Sequence, residues 1–271
     1  RNKSNSFFSF RFAAKFKSKK SCCVSMAIKR TAKKNKFIGK NKKRTANRPL
    51  FIGKNKLVLL FKERKFGLLL AYLCLYFIIV TAGWVLLLRF VNPPVTWLML
   101  QRGVERKIEG KEWKLEKEWK SYDELSDNLK RAAITGEDAN FMIHAGFDIH
   151  AIRDAYRQNK AGKTMRGGST ISQQTAKNVF LWPGRSWIRK GFESYFTVLI
   201  ELLWGKKRIL EVYLNVIETG DGIYGANAAT LTYFHKPATS LTKRQAALLI
   251  AVLPNPRRWT PSRPTNYINR K

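Results

Sequence analysis

Hydrophobic and polar positions divide the chain into three stretches. Residues 1–65 are poor in periodic apolar positions. Residues 66–88 read FGLLLAYLCLYFIIVTAGWVLLL, 23 residues without a charge. As a helix this run would be about 35 Å long, against a hydrocarbon core of about 30 Å, and it predicts a transmembrane helix. A cleaved signal has a shorter apolar core. Pro93 and Pro94 end the span. Residues 105–120, ERKIEGKEWKLEKEWK, are charged, with Trp113 and Trp119 as the large apolar groups, so 89–120 reads as a connector or stalk near lipid headgroups. From Ser121 onward the period is that of helices. SYDELSDNLKRAAI places Leu125, Leu129, Ala132 and Ala133 at three- and four-residue spacing behind acidic residues. KKRILEVYLNVI puts Ile209, Leu210, Tyr213 and Leu214 on one stripe, and TKRQAALLIAVL opens with a Thr cap. YFTVLIELLW, 195–204, is too short to span a bilayer; it is either a core helix or one that dips into the membrane interface. Strand-like alternation is nearly absent. The predicted class is all-α, with residues 121–271 as the folded domain.

Charge changes the picture at the N-terminus. The 271 residues carry a formal net charge of +34, of which +21 falls on residues 1–65, where 22 Lys and Arg stand against Glu63 alone. Such a stretch cannot bury enough apolar surface to offset its ordering entropy, and is expected to be a disordered tail. It suits a solvated segment near anionic lipid headgroups; a nucleic-acid arm has no other support in the chain, and no nucleic-acid partner is expected. The tail holds a tandem duplication, KRTAKKNKFIGKNK followed by KRTANRPLFIGKNK (29–42 and 43–56), too short for a solenoid. The chain starts at Arg1, and Met26 is an alternative start. With the basic side before the span, residues 1–65 are expected in the cytoplasm and the domain outside it. Cys22 and Cys23 then lie in the reducing compartment and Cys74 in the bilayer, and the outer domain holds no cysteine for a disulfide or a thiolate metal site.

Four segments are more polar than a helical core requires. GEDANFMIHAGFD sets Glu137, Phe141 and His144 at helical spacing, so that an acid, a ring and an imidazole would line one wall; Asp138 sits beside them. An isolated Glu at a helix end is otherwise a solvated cap. RGGSTISQQTAKN opens a helix with Ser169 and Thr170, whose free N–H groups suit an anion, and adds Gln173, Gln174 and Lys177. It lacks the Gly-Lys-Ser/Thr of a nucleotide loop. RSWIRKGFE sets Arg189, Lys190 and Glu193 within about one turn, which could equally be a surface pair of little energetic worth. The last segment carries Asn215 and Glu218 before a Gly-rich turn, followed by Tyr-Gly-Ala and Tyr-Phe that would suit a second wall.

Together EDANFMIHAG, GGSTISQQTAKN, RKGFE, KKRILEVYLN and GANAATLTYF, in this order, resemble the peptidoglycan glycosyltransferase family, the transglycosylase module of class A penicillin-binding proteins and their monofunctional relatives. The resemblance runs from about Pro93 to the end, and TAKNVFLWPGRSWIRKG is closer to the monofunctional biosynthetic enzymes. Gly136 departs from the small alanine usual there, and relatives continue beyond LPNPRRWTPSRP, so a C-terminal truncation is expected. The resemblance implies a lysozyme-like fold and an inverting transfer. The donor is a growing strand on a polyprenyl diphosphate, the acceptor is the 4-hydroxyl of lipid II, and the product is a β-1,4 link. It implies Glu137 as general base and Glu193 at the diphosphate end. Lys177, Arg189 and Lys190 would meet the leaving group. Asp138, Phe141, His144, Ser169, Thr170, Gln174 and Asn215 would contact or position substrate. No tightly bound cofactor is implied; a divalent cation, Mg or Mn, at the diphosphate is left open. The partners implied are lipid II, the lipid-linked strand and the cytoplasmic (inner) membrane, with other cell-wall synthesis proteins as an open possibility. Two alternatives stand beside this. A lysozyme-like hydrolase or lytic transglycosylase would also use two carboxylates but has no need of the cations. A non-catalytic membrane scaffold would not need Glu137. No transpeptidase is expected.

Overall fold

The computed structural model describes residues 54–160, 168–184 and 186–270. The tail duplication up to residue 53 lies outside them. Helix α1 (Lys54–Phe90) is longer than the apolar run at both ends. Its first turns belong to the stretch expected to be disordered. Leu57 to Phe61 form an apolar run free of Gly and Pro, so nothing interrupts the helix between that run and Phe66. Residues 65–90 form a helix long and apolar enough to cross a membrane, with a mean hydropathy of 2.3 and only 6% of its most apolar window buried. A core helix of a soluble protein would be mostly covered.

After the Pro93-Pro94 break, Thr96 caps α2 (Trp97–Ile108). The charged segment that follows is not a free stalk. Glu116–Lys117 (β1) pairs in parallel with Ile223–Tyr224 (β3), which pairs antiparallel with Glu218–Gly220 (β2), making a sheet of order β1-β3-β2. Trp119 packs on the core and donates from Nε1 to Glu211 at 3.2 Å. The indole of Trp113 lies over Gly103, where a Cβ would collide with the ring. Residues 89–120, read as a connector, are thus folded onto the domain. Backbone pairing to a strand about 107 positions away leaves no periodic mark in two residues.

Helices α3 (Asp127–Glu137), α4 (Ile149–Lys160), α5 (Ile171–Phe180), α6 (Trp187–Leu203), α7 (Lys206–Val216), α8 (Ala226–Phe234), α9 (Lys243–Ala251) and α10 (Asn266–Arg270) complete the order. Side-chain caps start four of them: Ser126 accepts from Leu129 N, Thr170 from Gln173 N, Ser186 from Arg189 N and Thr242 from Gln245 N, each worth ~1 kcal/mol. Helix α5 packs between α6 and α7, and α3 lies on α9. The core joins Leu129, Ile171, Ile200, Ile209, Tyr213 and Leu249. The all-α expectation holds, with the small sheet as its exception.

The apolar run at 195–204 is part of a core helix with one exposed side. Phe196, Ile200 and Trp204 are buried while Val198 and Leu202 are exposed. The other side of α6 packs along α1. Phe77 stacks near Phe192 and Tyr195, Thr81 Oγ1 and Tyr195 OH are 2.7 Å apart, and Trp204 Nε1 donates to Val85 O at 2.8 Å. Arg208 of α7 closes the end of α1, donating to Leu88 O and Val91 O at 2.9 and 3.0 Å.

Candidate active site

Glu137 is the last residue of α3, and the chain then leaves the helix at Asp138. The single helical face expected for Glu137, Phe141 and His144 does not exist. Residues 138–146 form turns closed by Gly146 at φ 89°. The cause is Asp138. Its carboxylate turns inward, accepts from Ile171 N at 2.9 Å at the first turn of α5, and lies 2.9 and 3.0 Å from His144 Nε2. Gly146 N donates to His144 Nδ1 at 3.1 Å, so Nδ1 accepts and the ring proton sits on Nε2, facing Asp138. The N-terminus of α5, expected to receive a substrate anion, is therefore occupied by the protein's own.

Several expected substrate contacts serve this framework. Phe141 is fully buried and lies under the turn, with Lys206 Nζ 4.6 Å from its ring centroid. Thr170 is buried, caps α5 and donates to Gly146 O at 2.7 Å. Asn215 is buried and holds the backbone of Lys120, accepting from Lys120 N and donating to Lys120 O, both at 2.8 Å. Tyr224, expected on a second wall, is buried as well, and Tyr233 is partly buried against the core. Gly225 lets β3 return: a Cβ there would stand 2.7 Å from Asn215 O. Thr170 and Asn215 are polar for the sake of bonds to distant backbone, which sequence spacing does not display. Ser169 is exposed beside α5.

Glu137, Gln174, Lys177, Arg189, Lys190 and Glu193 come together as expected. Gln174 Nε2 donates to Glu137 Oε2 at 2.9 Å, and Tyr213 OH donates to Gln174 Oε1 at 3.4 Å. Tyr213, read from sequence as a core residue, thus orients the amide that orients the acid. On α6, Arg189 and Lys190 stand four and three positions before Glu193, so both reach its carboxylate. Arg189 Nη1 bonds Oε2 at 2.8 Å and Lys190 Nζ bonds Oε1. The Glu193 carboxylate is buried, and two cations compensate its desolvation. Lys177 is exposed and lines one cleft with Arg189. Partial burial lowers the pKa of its ammonium; Glu193 and Glu137 pull it up, and Arg189 and Lys190 push it down further. A carboxylate held by an amide, facing a cluster of cations, can take a proton on one side while negative charge gathers on the other.

A second polar set went unread in the sequence. Lys206 Nζ donates to His144 O at 2.7 Å and to Glu201 Oε1 at 2.8 Å, and Ser172 bonds the same carboxylate. It braces the 138–146 turn from α5, α6 and α7; its members lie on three helices, and no local motif joins them. As to a divalent cation, both oxygens of Glu193 are already ion-paired, and no group of three His, Cys, Asp or Glu among the described residues could hold a metal ion. These residues do not fit a resident cation.

The comparisons agree with this geometry. Residues 105–271 match the family model described as Transglycosylase. The chain is 51% identical over 208 residues to the biosynthetic peptidoglycan transglycosylase of Stutzerimonas stutzeri, covering 77% of this chain and 86% of the relative. It is 52% identical over 198 residues to that of Caulobacter vibrioides, covering 72% and 84%, and 52% identical over 187 residues to that of Pseudomonas savastanoi pv. phaseolicola, covering 69% and 79%. With a helical domain, an apolar helix before it and a groove of carboxylates and cations in the matched region, the chain belongs to the transglycosylase family, the peptidoglycan glycosyltransferases of cell-wall synthesis.

Proposed function

We propose that this groove extends glycan strands by joining lipid II to a lipid-linked donor. The observation that carries the reading is a Glu137 held by Gln174 together with the Arg189–Lys190–Glu193 cluster, with Lys177 lining one cleft with Arg189. Glu137 takes the proton of the acceptor's 4-hydroxyl as that oxygen attacks the donor's anomeric carbon. The bond from that carbon to the diphosphate breaks, and polyprenyl diphosphate leaves with the electron pair. Lys177, Arg189 and Lys190 meet the charge that develops, where fixed donors in a partly dry groove are most effective. Attack from the face opposite the leaving group inverts an α-linkage to β. Gln174 and Tyr213 position the base.

A hydrolase releases a sugar hydroxyl and gains little from three cations. The family match, which is to biosynthetic enzymes, sets that alternative aside. A lipid-linked donor also accounts for the apolar α1 and for the exposed Met142, Ile143, Trp187, Ile188 and Leu202, which suit contact with a bilayer. In the proposed topology the basic residues before Lys65 remain on the cytoplasmic side and the groove lies outside, at the inner membrane.

The test is incubation of the full chain in detergent with labelled lipid II. Polymer is expected. No polymer from folded protein and intact lipid II would sink the proposal.

A further inference from the structure

Helix α2 turns an apolar face outward. Trp97, Leu100, Val104 and Ile108 are 58%, 45%, 52% and 81% exposed. At about 100° per residue they fall within about 80° of one another, a single stripe along a helix about 18 Å long. The opposite face is the one bound to the domain. Met99 and Gly103 are buried there, Arg106 pairs with Asp221, and the Trp113 indole lies over Gly103. Rolling α2 to cover the stripe would break these contacts.

The bend before α2 is held as firmly. Lys117 of β1 donates to Pro93 O and, at 2.9 Å, to Pro94 O. Arg208 donates to Val91 O and to the Asn92 side chain at 3.0 and 2.9 Å. Helix α2 therefore keeps a set position relative to the end of α1. Phe90, Val91 and Val95 are exposed along the way, so exposed apolar side chains continue from α1 through the bend to Ile108.

That continuity points to the occupant. An apolar stripe joined to a helix apolar enough to cross a membrane, with Trp97 at its start and exposed Lys107 beside it, has the make-up of a helix lying in a bilayer surface. Resting on the proposed crossing of the membrane by α1, we propose that α2 lies in the headgroup boundary of the leaflet where α1 ends, its stripe against the acyl chains. Lys107 reaches back to lipid phosphates. None of these residues belongs to the exposed groups at 142–143 and 187–188. A lone span leaves the domain free to tilt about its end. A second contact, rigidly joined to the first, sets the tilt of the groove against the surface from which lipid-linked substrates arrive.

The test uses the full chain in vesicles of phosphatidylethanolamine and phosphatidylglycerol, with Cys22, Cys23 and Cys74 replaced by Ser. A fluorophore is attached through Leu100→Cys or Val104→Cys, and through Lys243→Cys on α9 as the aqueous reference. Iodide quenching on α2 should be roughly fivefold weaker than at the reference, and a lipid nitroxide near the headgroup should quench α2 more than one at the chain end, matching a depth of about 5–10 Å. Val104→Asp with Ile108→Asp should return iodide quenching at Leu100→Cys toward the reference. Iodide quenching equal to the reference would overturn the proposal. So would shielding from iodide without quenching by either lipid nitroxide, since a protein, a second copy included, would then cover the stripe. Stronger quenching from the chain end, or no response to the two aspartates, would overturn it as well. If labelling at Leu100 lowers the melting temperature, Val104→Cys carries the test. None of these readouts needs turnover. A chain that polymerises lipid II with its stripe in water defeats this inference alone, and a lipid-quenched stripe without polymer defeats only the proposed function.

Discussion

Replacing Asp138 with Asn separates a framework role from a substrate contact at a residue that the sequence alone places with the substrate. The carboxylate accepts from Ile171 N at 2.9 Å and from His144 Nε2 at 2.9 and 3.0 Å. His144 cannot exchange roles, because its Nδ1 already accepts from Gly146 N. An amide offers one acceptor and one donor to two N–H groups. Either its NH₂ faces the Nε2 proton, or it turns and leaves Ile171 N unpaired. Asp138 is 7% exposed, so water cannot make up the loss. One unsatisfied buried donor costs ~1–3 kcal/mol, and removing a negative charge from the N-terminus of α5 adds ~0.3–1 kcal/mol. A total of ~1–4 kcal/mol should lower the melting temperature by roughly 3–15 °C for a domain of this size. The assay is thermal unfolding of the full chain in detergent, followed by fluorescence, with lipid II binding measured well below the transition. Binding should stay close to that of the parent. An unchanged melting temperature together with lost binding would refute the framework role and return Asp138 to the substrate.

Other outcomes follow from the same geometry. The depressed pKa of Lys177 means that its ammonium loses its proton at a lower pH than an ordinary lysine, so the share of inorganic diphosphate inhibition that depends on Lys177 should weaken before the pH reaches the ordinary lysine range. Lys177→Arg should flatten that profile, and an equally steep profile in the variant would refute the assignment. Glu193→Gln strips Arg189 and Lys190 of their shared partner and should weaken both lipid II binding and rate; normal binding with no turnover would mean that Glu193, not Glu137, does the proton chemistry. Arg208→Gln should lose ~1–3 kcal/mol and expose residues 91–96 to protease, since the longer fork alone reaches Leu88 O, Val91 O and Asn92 together. Unchanged proteolysis would show that α1 is held by other contacts.

Much of the fold is legible because it is periodic. The Ile209, Leu210, Tyr213, Leu214 stripe is buried as the spacing requires, and Thr170 and Thr242 cap where their positions suggest. The Arg189, Lys190, Glu193 set is legible for the same reason, since three- and four-residue spacing places both cations beside one acid. What the sequence hides depends on distant partners. Helical spacing would have carried α3 through His144, but Asp138 leaves the helix to cap α5, more than thirty residues away. Asn215 has the chemistry of a substrate ligand and is used instead to fix the backbone at Lys120. Arg102 lies in the 89–120 stretch that reads as a connector, and only the folding of that stretch onto the domain brings it beside Glu218 of β2.

The central claim is that Glu137 removes the acceptor's proton, and polymerisation of lipid II by Glu137→Gln tests it most directly. Gln keeps the size and can still bond Gln174, so the groove should stay intact. Initial rates, measured alongside lipid II binding, should fall by ~10²–10⁴ while binding stays within a few-fold of the parent. A variant that polymerises at the parent rate would contradict the account, because the acid held by Gln174 would then have no part in the chemistry.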